Sequence, residues 1–244
     1  MVVVCMHDDY RDEAEKLANR LQTTLAFESP EAEVFLQLDE SGLSLRGNGQ
    51  TVQGDFKKML PRLRANNLNG EMLVKAARLK NADVPLTAVD ATAGLGDDSL
   101  LLAAAGYEVT LFERDPVIAA LLSDTIRRGL QNPDLCEIVS RMHLIEGDSI
   151  SGMAALDFSP TVVLLDPMFP ERQKSALVKK KFQLLHHLEK PCDEERELLV
   201  GAMALRPRKL IIKRPLKGPF LAGEKPHYSH NGKAIRYDCF VFAK

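Results

Sequence analysis

Four acidic residues close four apolar runs: Asp90 after "TAV", Glu113 after "VTLF", Asp148 two residues past "HLIE", and Asp166 after "TVVLL". Between the first two lies "DATAGLGDDS" (90–99), where Gly94 and Gly96 allow a tight turn and let a ligand approach without a Cβ in the way. The helix expected from Ser99 offers unpaired N–H groups at its start, which favour a carboxylate or phosphate. Glu113 can accept both hydroxyls of a ribose. Asp148 and Ser149 can hold an adenine edge, although the same residue types are common helix caps. Together these residues describe a nucleoside-containing ligand lying beyond the carboxyl ends of adjacent strands.

Two ligand chemistries fit such a turn. A dinucleotide fingerprint wants a third glycine where this chain has Ser99, and the acids Asp97 and Asp98 would repel a pyrophosphate. The ammonium and sulfonium of S-adenosylmethionine prefer nearby carboxylates. The residues therefore favour S-adenosylmethionine, with a nicotinamide or flavin reductase left as the alternative.

The fourth acid opens "DPMFPERQKSALVKKK" (166–181). Asp166-Pro167-Met168-Phe169 resembles the Asn/Asp-Pro-Pro-Tyr/Phe motif of enzymes that methylate exocyclic amines of nucleobases, with Met168 at the second proline. Such an amine is a poor nucleophile, because its lone pair is delocalised into the ring, so it must be oriented. Asp166 or the Pro167 carbonyl would accept its N–H, Phe169 would stack on the base, and Pro167 would stiffen the turn. A plain strand-to-helix turn with Phe169 in the core is the structural alternative. Lys174, Lys179, Lys180 and Lys181, then Lys213, Arg214 and Lys217, follow on the same rim as candidate phosphate contacts. His186 and His187 are adjacent on an expected helix, so their side chains diverge and no metal site is expected there.

The expected elements that position these residues form two parts. Residues 1–68 read as a small α+β unit: a strand (Val2–Met6), a helix (Asp9–Leu21) and short strands near 34–38 and 43–45. Residues 69–244 alternate apolar strands with amphipathic helices, the pattern of a parallel sheet covered on both faces. Near the end, "HYSHNGKAIRYDCFVF" predicts a hairpin turning at Asn231-Gly232. A mostly parallel sheet closed by an antiparallel hairpin is the fold class of Rossmann-like, class I S-adenosylmethionine-dependent methyltransferases.

Composition agrees with a globular chain: 244 residues, 45% hydrophobic, with 32 basic and 34 acidic side chains. Charge is uneven, since residues 1–56 hold 11 acids against 4 bases while the last 39 hold 10 bases against 2 acids. Such a field suits one face turned toward a polyanion. Cys5, Cys136, Cys192 and Cys239 form no CxxC pair, which argues against zinc and a disulfide framework and fits a reducing cytoplasm. No apolar run approaches membrane-spanning length.

The strings "VDATAGLG", "LFERDPVIAALLSD", "LLDPMFPERQKSALVKK" and "KRP" (213–215) resemble the ribosomal RNA small subunit methyltransferase J family. The resemblance implies methyl transfer from S-adenosylmethionine to N2 of a guanine in 16S rRNA. It also implies cofactor contacts at Asp97, Asp98, Glu113, Arg114, Asp148, Ser149 and Asp166. Two alternatives remain: methylation of another amine in DNA, tRNA or a small molecule, and a noncatalytic RNA-binding protein that keeps the fold.

Overall fold

The computed structural model describes residues 1–28, 30, 34–79, 85–167 and 194–242. Met168, Phe169, the four lysines 174–181, His186, His187 and Cys192 lie outside the described residues.

The first part is a five-stranded sheet with one long helix. Its elements are β1 (Val2–Cys5), α1 (Arg11–Arg20), β2 (Thr24–Ala26), β3 (Val34–Asp39), β4 (Gly42–Gly47) and β5 (Gln50–Val52). The strand order is β2-β1-β3-β4-β5. β1 runs parallel to both its neighbours, and β3, β4 and β5 form antiparallel pairs. Three short helices follow: α2 (Leu60–Leu63), α3 (Ala65–Leu68) and α4 (Met72–Ala77).

The second sheet contains β6 (Thr87–Asp90), β7 (Glu108–Glu113), β8 (Met142–Glu146), β9 (Val162–Leu165), β10 (Lys209–Pro215), β11 (Tyr228–Asn231) and β12 (Ile235–Val241). Its order is β11-β12-β10-β9-β6-β7-β8. The run from β10 to β8 is parallel, while β12 is antiparallel to both β10 and β11. Between these strands lie α5 (Asp97–Ala104), α6 (Pro116–Leu130), α7 (Cys136–Val139), α8 (Ser149–Ala154) and α9 (Glu195–Ala204).

Alternation along the strands divides the core. Val162 and Leu164 of β9 face a cluster with Leu73 of α4 and Leu101 of α5, whereas Val163 and Leu165 face Met153 of α8 and Leu198 of α9. All four β9 side chains are fully buried, and each contributes about 1.5–3 kcal/mol by burial. The carboxyl ends of β6 and β9 are thus anchored in the buried core.

α6 joins the two sheets. Its Val117, Ile118 and Leu121 pack with Leu36, Leu38, Leu43 and Leu45 of the first sheet. Lower on the same helix, buried Asp124 accepts from the Leu43 backbone N–H (2.9 Å) and from Arg128 Nε (2.8 Å), and Arg128 Nη2 donates to the Gly54 carbonyl (2.6 Å). Asp124→Ala leaves a buried N–H and a guanidinium short of their acceptor, a loss of about 3 kcal/mol. Calorimetry should show a Tm about 6–12 °C lower, and an unchanged Tm would mean that this contact does not hold the two sheets together.

The expected hairpin differs in its turn. Asn231 is the last residue of β11, paired with Arg236, and the turn is closed by the Gly232 N–H donating to the Ile235 carbonyl (2.9 Å). Neither Asn231 nor Gly232 has a positive φ. Gly232 packs closely instead, since a Cβ there would lie 2.8 Å from Met72 Cε of α4 and 3.1 Å from the Ile235 carbonyl oxygen, and the Met72 end would have to shift.

Candidate active site

Asp90 ends β6 and is 2% exposed. Its Oδ1 accepts from the Thr92 N–H (3.1 Å) and its Oδ2 from the Ser99 hydroxyl (2.5 Å), so it braces the turn from inside. Burial pushes its carboxyl up to about 7, against the hydrogen bonds from Ser99 and Thr92. A carboxyl raised in the folded state gives its full stabilising share at low pH and loses it as pH rises through the folded value. Asp90→Asn should therefore raise Tm more at pH 8 than at pH 5. An equal effect at both pH values would contradict the buried, proton-binding state.

The turn itself uses its glycines differently. Gly94 has φ +55° and nothing within 4 Å of where a Cβ would lie, so its outer side is open to a ligand. Gly96 has φ +82° and caps α5, and a Cβ there would meet Leu122 Cδ1 at 2.6 Å. The helix therefore begins at Asp97, two residues earlier than expected. Asp97 and Asp98 fall in its first turn, where the helix dipole favours acids.

Glu113 is 8% exposed at the end of β7. Its Oε2 accepts from the Gly94 N–H (2.9 Å) and its Oε1 from the Asp115 N–H (2.9 Å). Burial pushes its carboxyl upward against these bonds. The Arg114 backbone N–H bonds the same carboxylate, which still keeps acceptor capacity, so it can fix the Gly94 turn and receive a ribose hydroxyl together. Arg114, the next residue, is exposed and lies 3.9 Å from Glu194. Asp148 caps α8, accepting at Oδ2 from the Ser151 N–H (2.8 Å) and hydroxyl (2.9 Å). Against the upward push of burial, those bonds hold its carboxyl below the usual range. The Ile150 backbone N–H also bonds this carboxylate, and Ser149 beside it is the first residue of α8.

Asp166 follows β9 directly, and Pro167 behind it is buried. The Asp166 N–H donates to Thr92 Oγ1 (2.6 Å), tying the acceptor turn to the cofactor turn. Its carboxylate meets Lys213 Nζ at 2.9 Å, and the same ammonium reaches Asp98 Oδ2 at 2.7 Å. Lys213 and Arg214 were expected as phosphate contacts, and the geometry corrects both. Lys213 is engaged by two carboxylates, and Arg214 is buried, with its Nε donating to the Pro219 carbonyl (2.9 Å). Thr92 and the Lys213 bridge escaped the sequence reading because their partners lie far along the chain.

Around these four strand ends stand Asp97, Asp98, Glu113, Asp148 and Asp166 against Lys213 and Arg114, a balance that suits a cationic ligand. Among the described residues, no three His, Cys, Asp or Glu side chains gather as a metal site, and no helix is long and apolar enough to cross a membrane.

The strand order, the open glycine turn and the acid that ends β7 define a class I methyltransferase that uses S-adenosylmethionine. Residues 16–242 match the SAM-dependent methyltransferase family. The ribosomal RNA small subunit methyltransferases J of Thioalkalivibrio sulfidiphilus and Pseudomonas aeruginosa are 40% and 41% identical to this chain. The alignments cover 96% and 98% of this chain and 94% and 93% of those proteins. The crystal structure of a SAM-dependent methyltransferase from Neisseria gonorrhoeae superposes with a TM-score of 0.78 at 32% identity, covering 99% of this chain and 96% of that one. The chain belongs to the ribosomal RNA small subunit methyltransferase J family, and it is a methyltransferase whose cofactor is S-adenosylmethionine.

Proposed function

We propose that the chain methylates the exocyclic N2 of a guanine in 16S rRNA, acting in the cytoplasm. One observation carries this reading: Asp166-Pro167 stands at the end of β9, bonded through Thr92 to the turn that holds Gly94 and Glu113. An amine acceptor held at Asp166 is thereby fixed relative to the cofactor turn. The names of the 40% and 41% identical relatives support a small-subunit rRNA substrate.

Bound in the acidic cleft, S-adenosylmethionine supplies an electrophilic methyl whose bonding pair stays with sulfur. Glu113 and the Gly94 backbone fit its ribose and turn, Asp97 and Asp98 its cationic methionine end, Arg114 the rim beside it, and Asp148 with Ser149 its adenine. Asp166, or the Pro167 carbonyl, accepts an N–H of the amine and so aims the nitrogen lone pair; most of the gain is positioning. Phe169, two residues past Pro167, has the chemistry to stack on the base. Lys174, Lys179 and Lys180 supply cations for the flanking phosphates, and their contribution should weaken with salt.

The direct test is incubation of the purified protein with methyl-labelled S-adenosylmethionine and either 16S rRNA or assembled small subunits, followed by nuclease digestion. Label should elute as N2-methylguanosine. Label in another nucleoside, or only on tRNA or DNA, would replace this substrate with one of the other amines.

A further inference from the structure

Lys213 lies at the junction of three elements. The β9–β10 register pairs Leu165 with Ile212, so the next residues along, Asp166 and Lys213, are neighbours. From the other side, α5 brings Asp98 to the same ammonium. The side chain is 24% exposed, and β12 sets buried Tyr237 directly across from it in register. A lysine placed in this way spans the cofactor turn and the acceptor turn with one point charge.

We propose that Lys213 is a positioning residue of the methyl-transfer site: by bridging Asp98 and Asp166 it holds the Asp166 carboxylate in place and in its charged form, ready to accept a proton of the target amine. This rests on the acceptor reading of Asp166 given above. As the new N–C bond forms and the donor's S–CH3 bond breaks with its pair left on sulfur, the nitrogen becomes positively charged and must lose one proton. An ionised Asp166 can take it, becoming the neutral acid, and release it to water. A protonated Asp166 cannot take it, and its remaining carbonyl oxygen is a weaker acceptor for the N–H that aims the lone pair.

The surroundings explain why a cation is needed there. The groups around Asp166 and Lys213 are Asp97 and Asp98 of α5, Asp90 of β6, Arg214 of β10 and Tyr237 of β12, with Arg62 of α2 beyond them, acting on Asp97 and Tyr237. Arg62 is bonded to Glu71 through Nε and Nη2 (both 2.8 Å). Burial leaves the Asp166 carboxyl above its ordinary value, with Lys213 offsetting part of that rise. Burial alone would lower the Lys213 ammonium, yet Asp98 and Asp166 hold it above its ordinary value. Without that charge, two carboxylates would face each other and one would take up a proton.

The sign follows. In Lys213→Met the Asp166 proton is bound at higher pH, so the acid limb of the kcat profile moves upward by about one pH unit or more. Lys213→Arg keeps the charge and should leave the limb in place, even if kcat falls through altered geometry. A purely structural clamp would change Tm without moving the limb. A second measurement requires neither RNA nor cofactor: a carbon-13 NMR titration of aspartate carboxyls in the free protein, with Asp166→Asn assigning the signal. Asp166 should titrate at least about one unit higher in Lys213→Met than in wild type. An unmoved Asp166 signal overturns the proposal, as does an unmoved acid limb in a variant whose signal has shifted, or a limb that shifts equally in Lys213→Arg. If Lys213→Met fails to fold, Lys213→Gln takes its place with the same expected shifts. Because the titration has no acceptor, it decides the role of Lys213 even if 16S rRNA proves to be the wrong substrate.

Discussion

Asp166→Ala lowers kcat for methyl transfer by about 10²–10⁴-fold and leaves the Kd for S-adenosylmethionine within a few-fold. Three bonds make this residue the hinge of the site. Its backbone N–H is held by Thr92, its carboxylate by Lys213, and through Lys213 it is linked to Asp98. Alanine keeps the backbone bond, so the turn persists while the acceptor of the amine N–H is lost. Steady-state kinetics with isothermal calorimetry separate the two effects. An unchanged kcat would assign amine orientation to the Pro167 carbonyl alone, and an equal loss of cofactor affinity would make Asp166 a cofactor ligand.

Glu113→Ala has the opposite signature, weakening S-adenosylmethionine binding roughly a hundredfold. On the proposed ribose contact, the cofactor loses a charged acceptor worth about 1.5–3 kcal/mol in all, roughly ten- to 150-fold in Kd. The Gly94 and Asp115 N–H groups are also released, so the open side of the turn is no longer fixed. Calorimetric titration checks the affinity. At saturating cofactor, kcat should recover to within a few-fold of wild type, which Asp166→Ala cannot do. A Kd unchanged by Glu113→Ala would remove the ribose from this strand end.

The parts of the fold legible in the sequence are those where one physical signal dominates. β6 and β7 begin and end where expected, because each apolar run is cut off by a charged residue at the rim. α6 starts where Asp115 accepts from the N–H groups of Val117 and Ile118, a cap that its Asp-Pro sequence announces. β2 was missed, since three residues with no buried side chain leave no alternation to read. The hairpin failed at its turn because Asn-Gly signals positive φ, while here the glycine answers to Met72, about 160 residues away in the chain.

The site was legible as a set of strand-end carboxylates and illegible as a network. Sequence spacing shows that Asp90, Glu113, Asp148 and Asp166 each stand at or just past the end of a strand, and the parallel register then brings those four strands side by side in the order β9-β6-β7-β8. It cannot show which carboxylates turn inward. Asp90 is buried against Ser99, and Asp148 is occupied in part as a cap. The same blindness made Lys213 look like a phosphate contact: its two anionic partners stand 47 and 115 positions earlier, visible only once β9 and β10 are in register and α5 is packed above them.

Mass spectrometry of 16S rRNA from cells lacking this chain tests most directly whether one cleft joins the methyl donor to a guanine amine. One N2-methylguanosine should be missing, restored by the wild-type chain and not by Asp166→Ala. An rRNA methylation pattern identical with and without the chain, or one restored equally by the Asp166→Ala variant, would contradict it.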